Sequence, residues 1–147
     1  MAFDRHWRIF FFTIFCSSAL SCQKFRQNLS ISGSITLTGE SANKIEQSEE
    51  SLFILLKDSG GVPIAVKRIV NPQFPIFYSL GPDDLLIPSL RPRFPLMVEA
   101  ELNLKGKIGP PELGDFSGVY PYSVGPRQKG VSIVMSRVSQ RQAKTRN

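Results

Sequence analysis

The chain has 147 residues, 41% of them hydrophobic, and 18 basic against 12 acidic side chains give a formal net charge of +6. That length suits one domain with a core of useful size. A single histidine and two cysteines exclude clustered His/Cys metal frameworks and a disulfide-stapled fold.

Arg5, His6 and Arg8 make a short basic start, and the apolar run from Ile9 to Leu20 follows directly. A transmembrane helix needs about 20 apolar residues, so this run fits a secretory h-region better. Ala19-Leu20-Ser21-Cys22 resembles the lipobox of bacterial lipoproteins, with the large and small residues at its first two positions interchanged. The resemblance implies that residues 1–21 are a lipoprotein signal peptide and that the Cys22 thiol carries a diacylglyceryl group. The membrane is then a partner through lipidated Cys22. Gln23, rather than an acidic residue, follows the cysteine, which in Gram-negative lipoproteins resembles the pattern of export onward to the outer membrane. The expected address is the bacterial cell envelope, facing the periplasm or the cell surface. The alternative is an ordinary signal cut near Ser21, which leaves Cys22 a spare thiol.

Loss of residues 1–21 removes Asp4, Arg5, Arg8, His6 and Cys16 and leaves 16 basic against 11 acidic residues. The mature chain has no histidine, and its one thiol is the modified one. Ser-His-Asp and Cys-His catalysis, His-based zinc sites, haem ligation by His or free thiolate, and an intramolecular disulfide are all excluded on this reading. Carboxylate, Lys or Tyr chemistry remains open, as does binding without chemistry. The expectation is a protein that is not an enzyme and uses no cofactor or metal.

After a short tether, residues 22–29, the chain alternates as a β protein. Ile31, Gly33, Ile35 and Leu37 fall on one face and Ser30, Ser32, Ser34, Thr36 and Thr38 on the other, the period of a half-buried strand that ends at Gly39. Glu40 to Glu50 is polar and acidic and reads as a loop or one helical turn. The continuous run Leu52 to Leu56 suits a strand buried on both faces, and Asp58-Ser59-Gly60-Gly61 then turns the chain. Val62, Ile64 and Val66 alternate with Pro63, Ala65 and Lys67 in a hairpin partner. Phe74, Ile76, Tyr78 and Leu80 continue the alternation as far as Gly81-Pro82-Asp83-Asp84. Phe94, Leu96, Val98, Ala100, Leu102 and Leu104 form the longest alternation, with Met97, Glu99, Glu101, Asn103 and Lys105 on a face that reads as solvated. From Gly106 to Pro126 the chain is rich in Gly and Pro, with Val119, Tyr120, Tyr122 and Val124 offering a short strand. Val131 to Val138 reads as the last one. Six to seven short strands without a long amphipathic helix predict an all-β antiparallel sandwich or barrel over residues 30–138. Residues 139–147 form a basic, polar tail with the composition of a disordered segment.

Several segments together resemble one family. Gly61 to Ile69, Phe74 to Asp84, and Val98-Glu99-Ala100-Glu101-Leu102 with Lys105-Gly106 are similar to successive stretches of the C-terminal Ig-like domain of cytochrome c biogenesis protein H (CycH/CcmI type). So are Pro110-Pro111 with Gly114-Asp115-Phe116-Ser117-Gly118, Ser32 to Leu37, and Lys129 to Val134, all in collinear order. Glu101 stands where the family has Arg. The resemblance implies an Ig-like β-sandwich in the periplasm and a protein partner, in a family that delivers apocytochrome c to the haem-ligation machinery. The membrane helices and helical repeat array that normally precede the domain are replaced here by the expected lipid anchor.

Among individual residues, Asp83-Asp84 reads as turn chemistry rather than a metal pair, since adjacent side chains diverge and Asx groups bond nearby amides. Glu99 and Glu101 read as a solvated sheet face. Met97 and Met135 read as core filler. Phe116, Tyr120 and Tyr122, in the Gly/Pro-rich stretch, are candidates for partner binding, because exposed rings on loops grip ligands; packing across the end of the domain is the competing explanation. Arg127, Lys129, Arg137, Arg141, Lys144 and Arg146 have no acidic neighbour after Val119, which suits either an anionic lipid surface or a solvated end. Nucleic acid is not an expected partner of an exported chain.

Overall fold

Alternating apolar residues build the strands, and the computed structural model, which describes residues 29–38, 50–106 and 109–139, is all-β. Its strands are β1 (Ser30–Leu37), β2 (Ser51–Lys57), β3 (Pro63–Val70), β4 (Ile76–Leu80), β5 (Met97–Asn103), β6 (Phe116–Val119), β7 (Arg127–Gln128) and β8 (Ile133–Arg137). A single turn of 3-10 helix at Pro82–Asp84 follows β4. Residues 1–28, 39–49, 107–108 and 140–147 lie outside the described residues, and with them the signal peptide, Cys22, most of the tether, and nearly all of the acidic loop and the basic tail.

The strands join in one hydrogen-bonded path, β3-β2-β5-β6-β8-β1-β4, with β7 beside β1. Pairing is antiparallel except where β8 and β7 run parallel to β1. β8 turns the corner, since it pairs β6 through Phe116↔Arg137 and β1 through Ile35↔Ile133. The two ends of the path, β3 and β4, come back toward each other. An isolated bridge Ala65↔Leu85 and a hydrogen bond from the Leu86 amide to the Ile64 carbonyl at 3.0 Å nearly close the sheet. Across the remaining seam, Lys67 Nζ donates to the Ser79 carbonyl and to Asp84 Oδ2, the latter at 3.3 Å.

The inward faces enclose one core: Ile31 and Ile35 of β1, Leu52, Ile54 and Leu56 of β2, Ile76, Tyr78 and Leu80 of β4, Val98, Ala100 and Leu102 of β5, and Ile133 and Met135 of β8. Burial of this apolar surface, at about 25 cal/mol per Å², is the main stabilising term. Two glycines let backbones approach closely. A Cβ on Gly33 would lie 1.8 Å from the Val131 carbonyl oxygen, and one on Gly118 would lie 2.6 Å from that of Val134. The same Val131 carbonyl accepts a hydrogen bond from the buried Tyr78 hydroxyl at 3.0 Å. Between β7 and β8 the register against β1 advances by one residue, from Ile31↔Gln128 to Ile35↔Ile133. Gly130, at φ +73°, sits in this bulge, where most side chains would be strained.

Two expectations are corrected. In β3 the inward set is Ala65, Lys67 and Ile69, paired with Leu56, Ile54 and Leu52, whereas Val66 points outward beside Leu55. The cause is a register irregularity between Leu56 and Lys57, where Lys57 pairs with Pro63; Ile64 and Ala65 are both buried beside it. The short strand of the Gly/Pro-rich stretch begins earlier than the alternation suggested, at Phe116 rather than Val119.

Candidate functional site

The outward face of β3, β2 and β5 carries the most concentrated chemistry. Cross-strand register lines up Leu55 with Val66 and Glu99, and Phe53 with Arg68 and Glu101. Both carboxylates are buried, which corrects the solvated face expected for them. On the same face of β5 they are flanked by Met97 and Asn103, and Phe53 and Leu55 stand beside them on β2. Gly109 and Pro110 line the same depression from the following loop. Lys57 Nζ bonds Glu99 Oε2 and lies 4.0 Å from Glu101 Oε1. A carboxylate taken out of water needs such partners, because an unpaired buried charge is costly.

Above this ion-paired floor lies a groove of about 660 Å³, walled by Phe53, Leu55, Pro63, Val66 and Leu86. Arg68 of β3 packs on Phe53, one of the wall residues. Its guanidinium stands 5.8 Å from the centre of the Phe53 ring, and its Nε and Nη2 donate to Ser51 Oγ at 3.1 and 2.9 Å. Leu86, and Ile87 next to it, are more than half exposed on the rim. The groove therefore joins an apolar wall to a charged floor, the composition of a surface that fixes a partner's register with polar groups and gains contact energy from the walls.

The loop that borders it is pinned by Asp115, a buried residue that belongs to one of the family-like motifs but is not among the candidate site residues. Its Oδ1 accepts from the Leu104 amide at 3.1 Å, and its Oδ2 from the Glu112 amide at 2.7 Å. The signal that could have found it is the Gly114-Asp115 pair at the end of a loop, where Asx side chains organise turns.

The three aromatic candidates separate. Phe116 is a core residue at 1% exposure, with the Arg137 guanidinium 5.5 Å from its ring centre, so it is not an exposed gripping ring. Tyr120 and Tyr122 do meet, edge to face, with centroids 5.6 Å apart; Tyr120 packs against the core and Tyr122 is exposed. Burial first, and the neighbouring Tyr120 second, push the Tyr78 hydroxyl well above the usual phenol range. Asp84 accepts from the Gly81 amide at 2.8 Å and pairs with Lys67, while Asp83 is exposed, so the two acids diverge as turn residues do. Met135 is in the core and Met97 is on the outer face. Arg127, Lys129 and Arg137 are exposed.

Among the described residues, no group of three or more His, Cys, Asp or Glu is arranged to hold a metal ion, and no helix is long and apolar enough to cross a membrane. Comparison of the chain with family models, with curated proteins and with solved structures found no match in any of the three.

Proposed function

We propose that this chain is a lipid-anchored, non-catalytic envelope protein whose β domain docks a protein partner in the periplasm. The observation that carries the reading is the groove on β3, β2 and β5, where exposed Leu86 and half-buried Val66 and Leu55 flank the Lys57–Glu99 ion pair. Its acids are engaged by a lysine, which suits holding a partner better than moving protons. The lipobox-like segment ending at Cys22 supports the anchor. The collinear motifs from Ser32 to Val134 support an Ig-like sandwich and a partner within c-type cytochrome maturation or respiratory-complex assembly. On the fold, the all-β strand set supports that reading, while the eighth strand, the parallel β1–β8 pairing and the pairings β2–β3 and β1–β4 depart from the two antiparallel sheets of an Ig domain.

The test is a pull-down from detergent-solubilised envelope with the lipidated protein, in parallel with a Val66→Glu variant. Recovery of cytochrome maturation components by the wild type, reduced at least tenfold by Val66→Glu, is the expected result. An unchanged c-type cytochrome content after deletion of the gene would remove the maturation role. For the anchor, a fatty-acid analogue labels the wild type, and Cys22→Ser abolishes the label.

The second reading, a structural or surface lipoprotein that contacts an envelope polymer or a host ligand, is favoured by Phe77, which stands 83% exposed on β4, away from the groove.

A further inference from the structure

The chain enters the β domain at one end of the strands, and that end has a composition of its own. The Ser30 amide at the start of β1 donates to the Pro126 carbonyl at 2.8 Å, and Ser30 pairs with Arg127 of β7. Antiparallel β4 finishes here, where Leu80 stands opposite Ile31. β5 begins here too, because Leu96 and Val124 exchange backbone hydrogen bonds two residues before Pro126. The segment leading into β5 and the segment leading into β7 therefore lie side by side, next to the entry of the chain. Arg93 and Phe94 are exposed on the first, and Tyr122, Arg127 and Lys129 on or just after the second. Tyr120, packed against the core, holds Tyr122 through the edge-to-face contact of their rings. Of the acids at this end, Asp84 pairs with Lys67, Asp58 accepts from the Gly60 and Val62 amides, and Asp83 is exposed.

The length of the tether decides which part of the domain can meet a bilayer. Eight residues lead from Cys22 to Ser30, a span of at most about 28 Å when fully extended. β1 alone, eight residues long, carries the opposite end about 26 Å further away. Arg137 belongs to that far end, because β8 runs parallel to β1 and finishes there. The cations after Val119 thus divide, with Arg127 and Lys129 at the entry and Arg137 beyond it. Within the tether, Lys24, Phe25 and Arg26 stand without an acid. A short tether holds the entry end near the surface at an effective concentration of about 1 mM, so contacts too weak to recruit a free protein suffice to orient an anchored one. Lys and Arg gain from anionic headgroups, and a ring such as Tyr122 settles at headgroup level with its apolar body toward the acyl chains.

We infer that the end of the domain carrying Arg93, Phe94, Tyr122, Arg127 and Lys129 rests on an anionic lipid surface and sets the orientation of the anchored domain, an assignment that rests on the proposed lipid anchor at Cys22. The test uses the lipidated mature chain in vesicles of phosphatidylethanolamine with about one-third phosphatidylglycerol, and in neutral phosphatidylcholine vesicles. Trp7, the single tryptophan of the chain, lies within residues 1–21, so Tyr122→Trp gives the mature chain one reporter. Leu113→Trp, exposed in the loop before β6 at the far end, gives a second variant with its own reporter. Circular dichroism checks that the fold is kept. Brominated lipids should quench Tyr122→Trp at least twofold in the anionic vesicles and leave Leu113→Trp unchanged. Arg93→Glu combined with Arg127→Glu should remove that quenching, as should the neutral vesicles, while flotation with the vesicles persists through the lipid. Absence of Tyr122→Trp quenching in chains that float, equal quenching of Leu113→Trp, or quenching that survives the double charge reversal overturns the inference. So does a Tyr122→Trp emission shift that grows with protein concentration in detergent, because this end then belongs to a second copy. Chains that neither take the fatty-acid label nor float fail at the anchor itself, and the orientation falls with it.

Discussion

Gly33 shows how one residue can decide the packing of a corner. Its missing side chain lets the Val131 carbonyl turn inward, and a Cβ would lie 1.8 Å from that oxygen. The obstacle is backbone rather than a flexible side chain, so Gly33→Ala must displace the β7–β8 bulge. We expect a loss of about 3 kcal/mol, the upper range for overpacking, measured by urea denaturation. Tyr78 depends on the same carbonyl. Its hydroxyl donates to Val131 from a buried position, and burial raises its pKa above the value near 10 that the unfolded chain has. The folded state therefore holds the proton more tightly than the unfolded state. The associated stability is complete below pH 10 and is lost as pH rises above it, by up to about 1.4 kcal/mol per pH unit until the folded group itself titrates. Tyr78→Phe should cost about 1 kcal/mol at pH 8, where the carbonyl loses its donor. Between pH 8 and pH 11 that deficit should vanish or reverse, because the variant has no phenol there to ionise. A deficit that stays constant over the range would show that Tyr78 is not the alkaline-sensitive group.

At the scale of elements, the groove face rests on cross-strand geometry, in which Lys57 from the end of β2 reaches diagonally to both glutamates of β5. Lys57→Met leaves the two carboxylates without that cation, and about 2 kcal/mol of destabilisation is expected, below the range for a fully buried pair because the lysine is partly exposed. Glu99→Leu combined with Lys57→Met should recover most of the loss. Denaturation midpoints of the two single variants and the double variant check this, and strict additivity would show that the pair is not coupled. This face also marks where sequence reading stops. The inward residues of β1, β4 and β5 were legible, since period-2 alternation needs only local sequence, and Ile31, Tyr78 and Ala100 are buried as it implies. Burial of Glu99 and Glu101 was not legible, because the cover comes from Phe53 and Leu55, more than forty positions away. The inner face of β3 was misread because a single irregularity at Leu56/Lys57 exchanges the two faces, an effect that leaves no mark in composition. Phe116 was misplaced for a related reason: its Gly/Pro-rich surroundings suggest a loop, yet the pairing Leu102↔Phe116 places it inside the sheet.

At the scale of the whole molecule, the path of strands almost closes on itself, and how it deals with its two free edges decides whether it stays monomeric. β3 and β4 are joined by a short turn, but they meet only through the Ala65↔Leu85 bridge, the Leu86–Ile64 hydrogen bond and Lys67. Exposed strand edges pair with other chains, and an inward-pointing charge at the edge is a known guard against this. Lys67 fits that role, since it shares the inner face with Ile54 while its ammonium occupies the Ser79 carbonyl on β4 and pairs with Asp84. Stability and solubility should therefore separate on substitution. Lys67→Met leaves the Ser79 carbonyl and Asp84 without their cation, but Asp84 keeps its bond from the Gly81 amide and Lys67 is only partly buried, so the unfolding free energy should fall by about 1 kcal/mol, too little to unfold the domain. With the charge gone, the Ser79 carbonyl and the rest of the β4 edge become available to a second chain. The variant should form concentration-dependent oligomers in size-exclusion chromatography with light scattering, whereas Lys67→Arg, which keeps a cation at the seam, should stay monomeric. If Lys67→Met also stays monomeric at every concentration, the seam is guarded by its geometry, and the lysine serves only to hold the turn at Asp84.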